Sequence, residues 1–202
     1  MHWSERRWRW RAAQAAPQGS ATAQAGDLGE LSLASREVDG FAVSHADGLR
    51  EVQVAQDACA PLARALSGVV VGEAASTEVR EAVGEGSAVT IALAEYADGQ
   101  AESVMDDLAV SADECAAGFT ATVDGVERKF EKAAPEIAPE GADQAVGLGA
   151  VVEEGEVETP VKAIVLRKGN IVAYLSAAPD GGAAEGFSIP AAVINAQLAK
   201  LA

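Results

Sequence analysis

Apolar and polar residues alternate most regularly between positions 119 and 131. A run of apolar residues and threonines leads into Asp124-Gly125, which is typical of a two-residue type I′ turn, and a second alternating run follows. The other phase of these runs is polar, which predicts an antiparallel hairpin near the edge of a sheet. The less polar phase consists of Phe119, Ala121, Val123, Val126, Arg128 and Phe130.

A second hairpin is predicted from residues 161–167 and 171–176, which flank a Lys-Gly-Asn turn at 168–170. Both faces of its strands are apolar, so we expect it at the centre of the sheet. Gly147 and Gly149 share one face of another predicted strand and permit close approach of a neighbouring backbone. The same alternation predicts further strands at residues 41–46, 87–96 and 146–152.

Three segments show the three- and four-residue spacing of amphipathic helices. The first covers residues 57–67 with Asp57 as its N-cap, and the second covers residues 99–115 with Asp98 as its N-cap. The third begins at Ser188 and runs to the end of the chain. The apolar stripe of the second helix consists of Ala101, Val104, Met105, Leu108, Ala112 and Cys115.

Helices placed between antiparallel hairpins are typical of the α+β class. We expect one antiparallel sheet with the helices packed on one face, an α/β sandwich, formed by a single domain over residues 28–202. Residues 1–27 lack hydrophobic periodicity and are predicted to be a disordered tail and linker. Their Arg- and Trp-rich start suits a peptide that touches a membrane surface or RNA, but we favour a start codon assigned too early or the remnant of a removed signal sequence.

The net charge of the chain excludes some classes of binding partner. The chain of 202 residues has a formal net charge of −16, and its first eleven residues hold four arginines against one glutamate, so the remainder is more acidic still. Such a surface repels phosphate backbones, and nucleic acid is therefore not an expected partner. Apolar residues make up 49% of the chain, which is enough for a packed core.

Cys59 and Cys115 are the two cysteines, and each lies on the inward stripe of a predicted helix. In a reducing compartment two such residues would be ordinary small apolar side chains. In an oxidising compartment we expect an interhelical disulfide between them. Zinc is not expected, because two cysteines without nearby histidine supply too few ligands.

Candidate chemistry is sparse elsewhere. His45 is the one histidine beyond the first 27 residues, and no Gly-x-Ser-x-Gly motif accompanies it, so a hydrolase is disfavoured. The acidic run at 153–158 lacks the ligand spacing of an EF-hand and is interpreted as a solvated turn. Gly84-Glu85-Gly86 is too short for a phosphate-binding loop. No catalytic, cofactor-binding or metal-binding residue is predicted.

Five segments follow one another along the chain in an order that is typical of one protein family. They are Asp57-Ala-Cys59-Ala-Pro-Leu62, Ala94-Glu-Tyr96-Ala-Asp-Gly99, Ala112-Asp-Glu-Cys115-Ala-Ala-Gly118-Phe119, the hairpin at 165–171 and the ending at 189–201. In this order the chain resembles actinobacterial lipoproteins related to the extracellular sensor domain of mycobacterial transmembrane Ser/Thr kinases. The resemblance covers roughly residues 40–202 and carries no catalytic residues over.

The resemblance implies an exported, cysteine-bridged α/β sandwich with a cleft for a ligand, often tethered by an N-terminal lipid. This sequence shows no signal core and no lipobox cysteine, so tethering requires that both precede Met1. We expect a non-catalytic extracytoplasmic domain of the cell envelope that binds or senses an unidentified small molecule or lipid. The alternative is a structural or interaction protein of the envelope without a small ligand, and a chain that truly starts at Met1 would be cytoplasmic.

Overall fold

A computed structural model describes residues 28–84, 86–180 and 186–202, and the predicted tail at 1–27 lies outside them. The described strands are β1 (Ala42–His45), β2 (Val52–Val54), β3 (Ser76–Gly84), β4 (Ser87–Glu95), β5 (Phe119–Val123), β6 (Val126–Glu136), β7 (Gln144–Glu154), β8 (Val157–Lys168) and β9 (Ile171–Pro179). They form one antiparallel sheet in the order β1-β3-β4-β9-β8-β7-β6-β5-β2.

The helices of the described residues are α1 (Leu28–Leu31), α2 (Ala60–Leu66), α3 (Gln100–Glu114) and α4 (Ala191–Leu201), and a 3-10 turn at Asp57–Cys59 precedes α2. All three predicted N-caps are wrong. Asp57 is the first residue of the 3-10 turn, whose N-cap is Gln56, and Cys59 is the N-cap of α2. Gly99, with a φ of 78°, is the N-cap of α3 in place of Asp98, and Pro190 is the N-cap of α4 in place of Ser188. Neither helix start is closed by a side-chain hydrogen bond.

Helices cover both faces of the sheet, so the expectation of a single covered face is wrong. On β8, Ala163 and Val165 join the core beneath α2 and α3. Ile164 and Leu166 point the other way and join a second core. Because the central strands are apolar on both faces, each face needs a cover, and α1 and α4 supply the second one.

The two predicted hairpins lie where their patterns place them. The two-sided apolar hairpin is β8–β9, with three strands on one side and four on the other. The one-sided hairpin is β5–β6, next to the edge strand β2. Asp124 and Gly125 have φ values of 52° and 81°, and positive φ at both positions is the signature of a type I′ turn.

Strand β6 continues further than its pattern predicts, through Pro135 to Glu136. A register shift between Glu131 and Ala134 separates its two halves. The second half lies beyond the end of β5, so one of its edges has no strand partner and a proline is tolerated there. A Cβ on Gly147 would lie 2.6 Å from the carbonyl oxygen of Glu136, which explains why glycine stands opposite this segment.

Cys59 and Cys115 form a disulfide with their Cα atoms 5.7 Å apart. The bond is interhelical only in part. Cys59 closes the 3-10 turn that leads into α2, and Cys115 is the C-cap of α3. Both residues are buried, so the bond fastens the start of α2 to the end of α3 inside the core.

Candidate functional site

A cleft of about 340 Å³ opens on the sheet face that also carries α2 and α3. Leu66 and Ser67, at the C-terminal end of α2, form one wall. The helix therefore ends where the cleft begins. The strand residues that line it belong to β3, β4, β9, β8, β7 and β6, and they are Glu81, Ala88, Thr90, Ser176, Ala177, Ala178, Pro179, Thr159, Val161, Val152, Glu154, Arg128 and Phe130.

The centre of the floor is built from small residues. Thr90 pairs with Ser176, and Ala88 pairs with Ala178, in the register of β4 and β9. Side chains two residues apart point to the same face of a strand, so these four share the cleft side. Their small size leaves the space that larger residues would fill. The hydroxyl of Ser176 donates to the carbonyl of Leu66 at 2.6 Å, which holds the end of α2 against the floor.

The β6–β7 side of the floor is apolar. Phe130 is 2% exposed and its ring stacks on Phe119, with centroids 4.8 Å apart and planes 8° from parallel. Val152 and the half-buried Val161 continue this surface from β7 and β8. A ligand with an apolar portion could bury that portion here.

Two arginines stand at the same side of the cleft. The Nε atom of Arg128 lies 3.0 Å from a carboxylate oxygen of Glu154. Arg50 also lines the cleft, from the segment before β2, and its Nε lies 3.9 Å from the carboxylate of Asp124. Asp124 accepts a hydrogen bond from the backbone N–H of Glu51 at 2.9 Å, which ties the β5–β6 turn to the arginine-bearing segment.

The opposite side of the cleft is acidic. Glu81 lines it from β3, and Asp180 lines it just after β9. In the parts of the chain that the structure describes, neither carboxylate has an ion-pair partner. The cleft thus has a basic side and an acidic side, separated by a floor of small and apolar residues.

Of the residues singled out from sequence as candidate chemistry, only Glu154 of the acidic run at 153–158 lines the cleft. His45 is on the edge strand β1, 74% exposed, with Nδ1 3.1 Å from the carboxylate of Glu78. The disulfide of Cys59 and Cys115 does not line the cleft. The acidic run at 153–158 includes the turn between β7 and β8.

The described ranges contain neither a cluster that could hold a metal ion nor a helix that could span a membrane. No group of three or more His, Cys, Asp or Glu residues among 28–84, 86–180 and 186–202 is arranged to hold a metal ion. None of the helices described there is long and apolar enough to cross a membrane.

A cleft was expected from the resemblance, but the residues that line it were not identified from sequence, although one of them carries a signal. Arg128 occupies the less polar phase of β6, between Val126 and Phe130. A charged residue in that phase is expensive to bury unless it meets a partner or a solvent-filled recess. Arg50 gives no such signal, because β2, the strand after it, has only three residues.

Comparison with known proteins shows a shared fold. No protein-family model matches the chain, and no curated protein matches it in sequence. The extracellular domain of PknH from Mycobacterium tuberculosis is similar in structure, with a TM-score of 0.57 at 14% identity over 86% of this chain and 91% of that one. An uncharacterised protein from Mycobacterium smegmatis, the Rv0999 ortholog, aligns with a TM-score of 0.43 at 15% identity, over 81% of this chain and 90% of that one. The resemblance to kinase sensor domains is therefore confirmed for the fold.

Proposed function

We propose that this chain is a non-catalytic ligand-binding or sensing domain that works outside the cytoplasm, at the cell envelope. The observation that carries the proposal is the cleft. It is concave, has an apolar portion and a few charged groups at its sides, and falls within the size range of small-molecule sites.

Two further observations support this reading. The fold is that of a domain described as extracellular, from the kinase PknH. The chain's two cysteines are joined in a buried disulfide, and such bonds persist in oxidising compartments. A lipid anchor, as the resemblance implies, would place the domain at the outer surface of the membrane, and mass spectrometry of the protein from its native membrane fraction would detect it.

Ligand binding in the cleft can be tested by thermal melting against panels of lipids and metabolites. A ligand at one hundred times its Kd stabilises the native state by about 2.7 kcal/mol, which raises the melting temperature of a domain this size by about 5–11 °C. The control is Ala178→Trp, which places a large side chain in the cleft from a strand, where aromatic residues are favoured in general.

The rise should disappear in the Ala178→Trp variant, provided that its melting temperature without ligand matches that of the wild type. A rise that survives the filled cleft would contradict the proposal. So would a panel in which no compound shifts the wild type, and that outcome would favour the structural or interaction protein of the envelope. His45→Ala should leave binding unchanged, because His45 lies on the edge strand β1 away from the cleft.

A further inference from the structure

Each of the two cleft arginines approaches a neighbouring carboxylate most closely through its Nε atom, at 3.0 Å for Arg128 and 3.9 Å for Arg50. Arg128 meets Glu154 through Nε, and Arg50 meets Asp124 through Nε. A guanidinium has five N–H donors, and four of them are on the two terminal nitrogens. Among the described residues no hydrogen bond joins either guanidinium to another protein group, and the Nε atom of Arg128 is buried without a hydrogen-bond partner. N–H donors of both arginines therefore remain available at one side of the cleft.

Building on the function proposed above, we infer that the cleft selects a small amphipathic molecule that carries one acidic group. The carboxylate or phosphate of such a molecule would lie between the terminal nitrogens of Arg50 and Arg128, because planar guanidinium groups bind these anions with paired hydrogen bonds. Its apolar body would lie on Phe130, Val152 and Val161.

The apolar body is required by the charge of the whole chain. A formal net charge of −16 repels small anions from the surface, so an anion alone gains little at two partly neutralised arginines. Burial of apolar surface against the floor supplies the missing free energy, and it grows with each CH₂ group removed from water.

The limit of one acidic group follows from the opposite side of the cleft. Glu81 and Asp180 line that side without a cationic partner among the described residues. A second anionic group at the far end of the ligand would meet these two carboxylates, and like charges in a cleft of about 340 Å³ repel each other.

Calorimetric titration of the full chain with four matched probes tests the inference. Octanoate carries both features, octanol has the chain without the acid, inorganic phosphate has the acid without the chain, and octanedioate has a second carboxylate. Octanoate should bind at least tenfold more tightly than each of the other three. If phosphate bound as tightly as octanoate, the cleft would be a site for free anions. If octanol bound as tightly as octanoate, the cleft would not select for an acidic group. Either result would overturn the inference.

Substitutions locate the acid-binding end. Arg128→Gln and Arg50→Gln should each weaken octanoate binding about tenfold, the loss expected for a hydrogen bond to a charged group. Arg36→Gln is the matched control, because Arg36 is exposed and does not line the cleft. Circular dichroism of each variant would show that its fold is intact.

The same titration separates this inference from the function on which it rests. If Ala178→Trp abolishes binding of every probe while Arg128→Gln and Arg50→Gln change nothing, the cleft is a ligand site but the selection for an acid is wrong. If octanoate binds Ala178→Trp as well as the wild type, binding lies outside the cleft and both proposals fail.

Discussion

Reduction of the disulfide between Cys59 and Cys115 is expected to lower the free energy of unfolding by about 4 kcal/mol. The bond closes a loop between residues 56 positions apart, and the chain-entropy model assigns a loop of this length that stabilisation. For a domain of this size the melting temperature should fall by about 8–16 °C. Differential scanning calorimetry of oxidised and reduced protein measures the difference.

The double variant Cys59→Ala, Cys115→Ala provides the control. Alanine is a suitable replacement because both cysteines are buried and alanine is a small apolar residue. The variant should melt near the reduced wild type and should not respond to reductant. An oxidised wild type with two titratable thiols in denaturant, or a melting temperature unmoved by reduction, would refute the prediction and remove one of the two supports for an extracytoplasmic location.

The second large effect is expected at alkaline pH, from a buried pair of tyrosines. Tyr96 and Tyr174 are 2% and 0% exposed, and their hydroxyl oxygens are 2.8 Å apart. Tyr96 donates its hydroxyl hydrogen to the carbonyl of Val71 at 2.5 Å, so Tyr174 donates to Tyr96. Burial raises the pKa of Tyr96, and it raises the pKa of Tyr174 further because the charge of an ionised Tyr96 would add to the penalty.

The direction of the pH effect follows from these raised pKa values. Below about pH 10 both tyrosines are protonated in the folded and unfolded chain, and their contribution to stability is fully present. Above about pH 10 the unfolded chain releases these protons first, so the free energy of unfolding falls by about 1.4 kcal/mol per pH unit for each tyrosine. The loss continues for each tyrosine until the pH reaches its own raised folded-state pKa, and it persists longest for Tyr174, whose pKa is raised further.

The chain has two tyrosines, so the tyrosinate absorbance band reports on this pair alone. The band should stay absent in the native protein and appear together with the loss of circular dichroism. Tyr174→Phe keeps the bond from Tyr96 to Val71 and should reduce the alkaline slope by about 1.4 kcal/mol per pH unit. Gradual tyrosinate formation near pH 10 in protein that remains folded would show that the pair is not sealed from water.

The sequence predicts most strands because their periodicity is a direct consequence of burial. The alternation that predicts the β5–β6 hairpin and the two-sided apolar pattern that predicts central β8 and β9 both reflect which faces the sheet buries. Strand β3 escaped prediction because Glu78, Arg80 and Glu81 place charges on both of its faces. Those charges are tolerated because β3 lies near the edge, where ion pairs and solvent are within reach.

The covering of the second face could not be predicted from local pattern. The segments that provide it are α1, which has four residues, and α4, which is distant from α1 in sequence. Their association depends on tertiary contacts such as the hydrogen bond from the Gln197 side chain to the carbonyl of Leu31. Short elements carry too little periodicity to be recognised before their partners are known.

The cleft is a property of tertiary structure for the same reason. Its lining comes from positions between Arg50 and Asp180, most of them on strand ends that antiparallel pairing brings to one side of the sheet. Small residues such as Ala88 and Ala178 are unremarkable in sequence. Only their pairing across β4 and β9 shows that together they leave the space of the cleft. Arg128 was the one lining residue with a visible signal in sequence, a charge in the less polar phase of its strand, and it lines the cleft.

The measurement that tests the central claim most directly is an amide-resolved NMR titration of the full chain with octanoate. If the cleft is the ligand site, the largest shifts should occur at Thr90, Ser176 and Arg128 and at their strand neighbours. Amides around His45 and Cys115 should move little, since neither residue lines the cleft. Shifts centred on His45 or Cys115, or no shifts at saturating octanoate, would contradict the account.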